Sequence, residues 1–162
     1  MSKILNIEEA TNLAEQLRNQ GKTIVLVGGC FDILHIGHIE FLKEARKRGD
    51  ALFVLLESDV SIRKLKGRER PINPQAIRAE ILASPENVDY VILLPSEFTN
   101  SDYDAIIQHI KPAVLATTEG DPNRIHKLRQ AKLINAKVVN VIKRISDRSS
   151  TKLINLLIKE GI

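Results

Sequence analysis

The chain of 162 residues contains no tryptophan, only two tyrosines and four phenylalanines, and a single cysteine, Cys30. Without aromatic breadth, recognition of bases by a stacking platform is disfavoured. One cysteine excludes an internal disulfide framework and any cysteine-based zinc site, and it suits a reducing, cytoplasmic setting. No apolar run is long enough to cross a bilayer. The opening "MSKILNIEEA" has neither the apolar core nor the cleavage site of a signal peptide. Low-complexity tracts, linkers and internal repeats are also missing, so residues 1–162 read as one domain with residues 1–21 as an N-terminal helical extension.

What is present is ordinary globular material: 43% apolar and 27% charged residues, a net charge of +4 and a pI of about 9.3. Part of the basic excess is concentrated in "RKLKGRERP". A mild basic balance fits phosphate-rich ligands, small or polymeric, without choosing between them.

The apolar pattern alternates between two periods. Short apolar, β-branched runs at 23–29, 51–57, 88–95, 113–117 and 136–142 predict buried strands. Helical stripes at 7–20, 37–48, 73–84, 101–110, 123–135 and 150–160 lie around them, with a basic loop or short helix at 59–70. Strand–helix alternation with apolar strands predicts an α/β fold with a parallel sheet covered by helices on both faces. Ligands of such sheets sit at the carboxyl ends of the strands. Chemistry is therefore to be sought in 28–38, 58–70, 95–100, 117–122 and 143–150.

Three of those segments carry a pattern. In "GGCFDILHIGHIEF" (28–41), Gly28 and Gly29 let backbone approach a ligand closely. His35 and His38, three apart at a helix start, fall on one face, with Gly37 clearing access between them. Free N–H groups and the positive end of the helix dipole complete an anion site suited to a phosphate whose charge grows during reaction. A structural histidine beside a surface one is the plainer alternative, and the spacing after a strand and a diglycine argues against it. In "DVSIRKLKGRERPI" (59–72), Arg63, Lys64, Lys66, Arg68 and Arg70 surround Gly67. Composition alone makes this a solvated loop; its place beside the histidines allows it to fold over a triphosphate. Arg78, beyond Pro74, is a fork donor that could point back at the same site. In "RISDRSSTKLI" (144–154), Ser149, Ser150 and Thr151 precede a helix beside Arg144, Arg148 and Lys152. One hydroxyl suffices for an N-cap, and the surplus fits phosphate held at a helix N-terminus.

Together these residues resemble the HxGH nucleotidylyltransferase superfamily, here as "CFDILHIGH", over about residues 21 to 160. The chain is closest to the cytidylyltransferase-like branch. Within it, "GGCFDILHIGH", "SIRKLKGRERPINP" and "RSSTKLI" are most similar to the adenylyltransferase domain of bacterial bifunctional heptose kinase and ADP-heptose synthase. The resemblance implies a Rossmann-like, doubly wound, five-stranded parallel sheet of order 3-2-1-4-5. It implies ATP or CTP as nucleotide donor, a small phosphorylated acceptor, Mg²⁺ carried mainly on the nucleotide phosphates rather than by protein ligands, and release of pyrophosphate. His35 and His38 would hold the donor's phosphates and stabilise the pentavalent transition state, with Lys66 as the basic-loop lysine and Arg78 as the arginine after the second crossover. Gly28, Gly29, Cys30, Phe31, Asp32 and Gly37 would line the nucleotide site, Asp32 as an orienting or contacting carboxylate. Ser149, Ser150 and Thr151 would grip the β- and γ-phosphates. A homodimer follows by the same analogy.

The chain departs from that pattern in two places. Gly28 stands where the heptose enzymes usually show asparagine. Their Lys-Gly-Gly-Asp type loop after the fourth strand is replaced by "ATTEGDPNRIHK", where Thr117, Thr118, Glu119 and Asp121 are left to meet base and ribose. The acceptor expected is heptose 1-phosphate-like with ATP. The alternatives are CTP with glycerol 3-phosphate or an amino-alcohol phosphate, and an archaeal-type FAD synthase. An RNA-binding module and a catalytically dead nucleotide sensor are competing classes. The first is opposed by the few aromatics, the second by the intact histidine and hydroxyl sets. Neither nucleic acid nor membrane is an expected partner.

Overall fold

A computed structural model describes residues 2–143 and 149–160. Its centre is a parallel sheet of six strands. These are β1 (Ile4–Leu5), β2 (Ile24–Gly29), β3 (Ala51–Leu56), β4 (Tyr90–Leu93), β5 (Val114–Glu119) and β6 (Lys137–Lys143). Seven helices connect and cover them: α1 (Ile7–Asn19), α2 (Ile36–Arg46), α3 (Asp59–Lys66), α4 (Gln75–Ala83), α5 (Asn100–Ile110), α6 (Arg124–Ile134) and α7 (Ser150–Lys159).

Edge to edge the strands run β1-β4-β3-β2-β5-β6. The expected five-stranded sheet of order 3-2-1-4-5 is thus corrected to six strands, because the N-terminal segment is not purely helical. Ile4 and Leu5 pair with Val91 and Ile92, and the Val91 amide donates to the Lys3 carbonyl at 2.8 Å. Two residues are too few to show a period, so this strand leaves no trace in the apolar pattern.

The central strands are buried on both faces, as continuous apolar runs require. Alternate residues face opposite ways. Ile24, Leu26, Ala51, Phe53 and Leu55 join a core with Leu13 of α1, Ile106 and Ile110 of α5 and Ala131 of α6. Val25, Val27, Leu52, Val54 and Leu56 join another with Leu42 and Ala45 of α2 and Ala79 and Leu82 of α4. Local signals set the helix ends. Asn6 and Glu9 form a capping box on α1, and Thr99 with Asp102 forms one on α5. The basic segment is helical over α3, capped by the Ser58 hydroxyl and ended at Gly67, whose φ of 99° needs glycine.

Pairing of β5 with β6 slips by one residue. Thr117 faces Asn140 and Thr118 faces Ile142, leaving Val141 as the extra residue. Such bulges re-aim side chains, and this one lies at the strands' carboxyl ends, where the candidate site is built.

Candidate active site

The carboxyl end of β2 opens into a cleft of about 310 Å³ lined by Gly28, Gly29, Cys30, Phe31, His35, Gly37, His38, Thr117, Asp121 and Ser149. Thus ten of the sequence-expected residues meet in one concavity. Thr118, of the same expected loop, also lines it, as do Phe41, Asn123, Lys127 and Ile142, which were not singled out from sequence.

His35 is the N-cap of α2, and its Nδ1 accepts the Gly37 amide at 3.1 Å. An accepting Nδ1 leaves the proton of the neutral ring on Nε2. The His38 ring stacks on His35, with centroids 3.8 Å apart and planes 27° apart. The Phe31 edge closes its other side at 5.1 Å. Phe31 itself has φ 43°, a left-handed conformation unfavourable for an aromatic residue. Its ring folds over Gly29, where an added Cβ would meet Cε2 at 2.9 Å. Gly29 is therefore glycine so that Phe31 can reach His38.

Burial, then electrostatic coupling to the His35 ring and the charge of Lys66, push His38 down to about 4, with the Ile33 carbonyl opposing least. Burial also lowers His35. At neutral pH both rings are uncharged N–H donors. Among the described residues no hydrogen bond of good geometry reaches His38 Nδ1, although the atom is buried. Burial likewise pushes the Cys30 thiol up, against the nearby charge of Lys66, so Cys30 is a neutral wall of the cleft.

Two of the expected site residues are held in hydrogen-bond networks behind the cleft. Arg78, expected to aim at the phosphates, is 1% exposed. Its Nε donates to the Asn73 carbonyl (2.9 Å), Nη1 to the Cys30 carbonyl (2.7 Å), and Nη2 to the Glu57 carbonyl (2.9 Å) and Asp59 Oδ1 (2.6 Å). It ties the ends of β2 and β3 to the starts of α3 and α4, with four of its five N–H donors engaged. Asp32 is 2% exposed. Its carboxylate accepts Arg70 Nε at 2.6 Å, the Ile72 amide at 2.9 Å and the Asn73 amide at 3.0 Å. Burial pushes this carboxyl up, but those donors outweigh it and hold it below its ordinary value. Asp32 fixes the loop from Arg70 to Asn73 under the histidine segment, the orienting one of the two roles expected for it, and is not among the residues lining the cleft.

The remaining expectations divide. Lys66 ends α3, exposed, and its charge is felt at His38 and Cys30. Ser149 caps α7 by accepting the Lys152 amide and lines the cleft. The Ser150 hydroxyl donates to the Ile33 carbonyl at 3.0 Å, pinning the start of α7 to the histidine loop across 117 positions of sequence. Thr151 and Glu119 are exposed and outside the cleft lining. Arg144 and Arg148 lie outside the described residues.

The β5–α6 turn contributes a cluster that the sequence half-revealed. Thr117 Oγ1 donates to Asp121 Oδ2 at 2.5 Å, and the Lys127 ammonium, from α6, pairs with the same carboxylate and lies 3.3 Å from Thr117 Oγ1. Burial raises Asp121, while Lys127, Thr117 and the Asn123 amide bring it below its ordinary value. A lysine absent from the loop itself thus reaches it from one turn into the next helix. The hint was a lysine six residues after Asp121, among three other basic residues of α6.

A second cavity, about 500 Å³, lies against the first. It shares Gly28, Gly29, Cys30, Asn123 and Lys127, and is otherwise walled by residues such as Leu26, Leu55, Glu57, Phe98 and Tyr103. Among the described residues, no three His, Cys, Asp or Glu side chains come together as metal ligands, and no helix is long and apolar enough to cross a membrane.

Residues 26–156 match the family model described as cytidylyltransferase-like. The chain belongs to the cytidylyltransferase-like family of nucleotidyltransferases. Among curated relatives, it is 45% identical over 154 residues to "Bifunctional protein HldE" of Aliarcobacter butzleri, covering 90% of this chain and 32% of that protein. It is 36% identical over 155 residues to HldE of Desulfatibacillum aliphaticivorans, covering 94% and 30%. The chain therefore spans about a third of the length of the curated relatives it matches. A lipopolysaccharide core biosynthesis protein from Thermoplasma volcanium is 30% identical with a TM-score of 0.64, over 76% of this chain and 99% of that one. Pantoate-beta-alanine ligase from Francisella tularensis, at 17% identity and a TM-score of 0.63, covers 100% of this chain and 79% of its own. At that identity it bears on the Rossmann-like fold alone.

Proposed function

We propose that the chain transfers the adenylyl group of ATP to a heptose 1-phosphate-like sugar phosphate and releases pyrophosphate. The observation that carries the reading is the meeting of two cavities at Gly28–Gly29–Cys30, one of them holding the stacked histidines and the N-terminus of α7. The nucleotide's phosphates lie in the histidine cleft and the acceptor in the larger cavity, so that both reach the strand end.

An acceptor phosphate is already ionised at neutral pH and needs no general base. One of its oxygens bonds to the α-phosphorus as the bond from that phosphorus to the pyrophosphate oxygen breaks. Anions gather at that point, so positioning and charge stabilisation dominate the problem. His35 and His38 supply neutral N–H donors, and the first amides of α2 and α7 add their dipoles. Lys66, exposed at the end of α3, closes on the triphosphate as the full positive charge. Magnesium arrives on the nucleotide phosphates, its usual mode. The Thr117–Asp121–Lys127 cluster faces base and ribose. The similarity to HldE and to a lipopolysaccharide core biosynthesis protein supports a sugar phosphate over other acceptors.

The test is a pyrophosphate-release screen of ATP and CTP against heptose 1-phosphate, glycerol 3-phosphate, an amino-alcohol phosphate and flavin mononucleotide. ATP with the sugar phosphate is expected to turn over fastest. Absence of turnover with every pair, using folded protein, would sink the assignment. A CTP preference would move it to a cytidylyltransferase.

A further inference from the structure

The larger cavity contains one acidic side chain that the proposed chemistry does not use. Glu57 follows β3 directly. Its amide donates to the Gly29 carbonyl at 3.1 Å, and its carbonyl accepts Arg78 Nη2 at 2.9 Å. The backbone is thus held from both sides and the side chain's direction is set. Oε1 accepts the Tyr103 hydroxyl from α5. Tyr103 is braced in turn by an edge-to-face contact with Phe98, centroids 4.8 Å apart. Oε2 is buried and has no hydrogen-bond partner among the described residues. A buried carboxylate oxygen without a donor is costly to keep.

We propose that Glu57 Oε2, oriented by Tyr103, accepts a hydrogen bond from a neutral hydroxyl on the carbon chain of the acceptor, and so selects polyhydroxylated acceptors. This deepens the sugar-phosphate reading and rests on it. The hydroxyl must be remote from the acceptor's phosphate, because a carboxylate repels a phosphate. The cation Lys64 lines the same cavity and provides the other pole. An ammonium group is the wrong partner, because the guanidinium of Arg78 already acts on Glu57 as counter-charge. Burial raises Glu57, and burial with the Glu57 contact raises Tyr103, so the tyrosine stays a protonated donor. Of the two carboxylate oxygens, Tyr103 therefore occupies one and leaves the other for ligand.

The experiment compares wild type, Glu57→Gln, Glu57→Leu and the double variant Glu57→Leu/Tyr103→Phe on heptose 1-phosphate and a set of its monodeoxy analogues. Glu57→Leu should raise the acceptor KM tenfold or more and leave the ATP KM within twofold. Glu57→Gln, which keeps an acceptor oxygen, should fall between. Wild type should lose about tenfold on one deoxy analogue, and Glu57→Leu should lose nothing further on it. The double variant removes both polar partners and should melt at or above wild type, which separates a recognition role from a structural one. An unchanged acceptor KM in Glu57→Leu, additive losses on every deoxy analogue, or better turnover of an amino-alcohol phosphate would each overturn the proposal. Should wild type show no turnover, the functional reading has failed. Heptose 1-phosphate alone is then titrated against isotope-labelled protein, and unmoved Glu57 and Tyr103 signals reject this site as well.

Discussion

The two walls of the cleft are built on different principles. The β2–α2 wall is braced from behind: Arg78 joins four segments, Asp32 holds the loop before α4, and Ser150 pins α7 to Ile33. Its polar groups are consumed in holding the histidines still. The β5–α6 wall hangs on one bulge and one small cluster, Thr117, Asp121 and Lys127. Electrostatic catalysis needs donors fixed before the reaction begins. Choice of base and ribose needs only a few polar groups that can differ between relatives without disturbing the fold. The rigid wall is therefore where a substitution should cost most.

Arg78→Ala is the most damaging change expected. It removes a guanidinium buried among three carbonyls and Asp59, leaving their lone pairs unpaired. The stability loss should be about 3–5 kcal/mol, read by chemical denaturation. A loss under 1 kcal/mol would mean that the brace is dispensable. Arg78→Lys should recover only part, since one ammonium cannot reach four acceptors on different segments.

His38→Ala tests the same wall without its brace. Loss of one preorganised donor costs roughly 10²–10³-fold in kcat, and the fold should persist because α2 is anchored by Leu42 and Ala45. Near-normal turnover would refute the histidine role.

The pH dependence of stability follows from that ring. His38 is held at about 4 in the folded protein, against about 6.5 in the unfolded chain. Between these values the unfolded state binds the extra proton, so stability is present above pH 6.5 and is lost as pH falls towards 4. At about 1.4 kcal/mol per tenfold, the loss attributable to His38 is about 3 kcal/mol. Denaturation curves from pH 7 to 4 should show it, and His38→Asn should flatten the slope.

Most of the β2–α2 wall was legible in the sequence, and the reason is periodicity. A continuous apolar run, two glycines and two histidines three apart define a strand, a turn and one helix face without tertiary information. What the brace does was not legible. Arg78 looked like a free cation because its acceptors, the carbonyls of Cys30, Glu57 and Asn73, are backbone groups that come from other elements. Glu57 was hidden for a related reason: it extends the apolar run of β3 by one residue and reads as strand end. Strand β1 was too short to have a period, and its pairing with β4 exists only once the sheet does. Lys127 lies in a helix with no clear polar face, where four basic residues look alike until the turn brings one of them to Asp121.

The smallest effect should come from the less braced wall. Lys127→Met removes a cation shared by both cavities but keeps the length and apolar body of the side chain. Asp121 remains bonded to Thr117 and to the Asn123 amide, so stability should change by less than about 1 kcal/mol. The nucleotide KM should rise about tenfold, with kcat changed by less than about threefold, because the group positions the nucleotide and does not meet the charge that builds at phosphorus. A collapse of kcat comparable to that of His38→Ala would erase the distinction between the walls, placing Lys127 at the reacting phosphate.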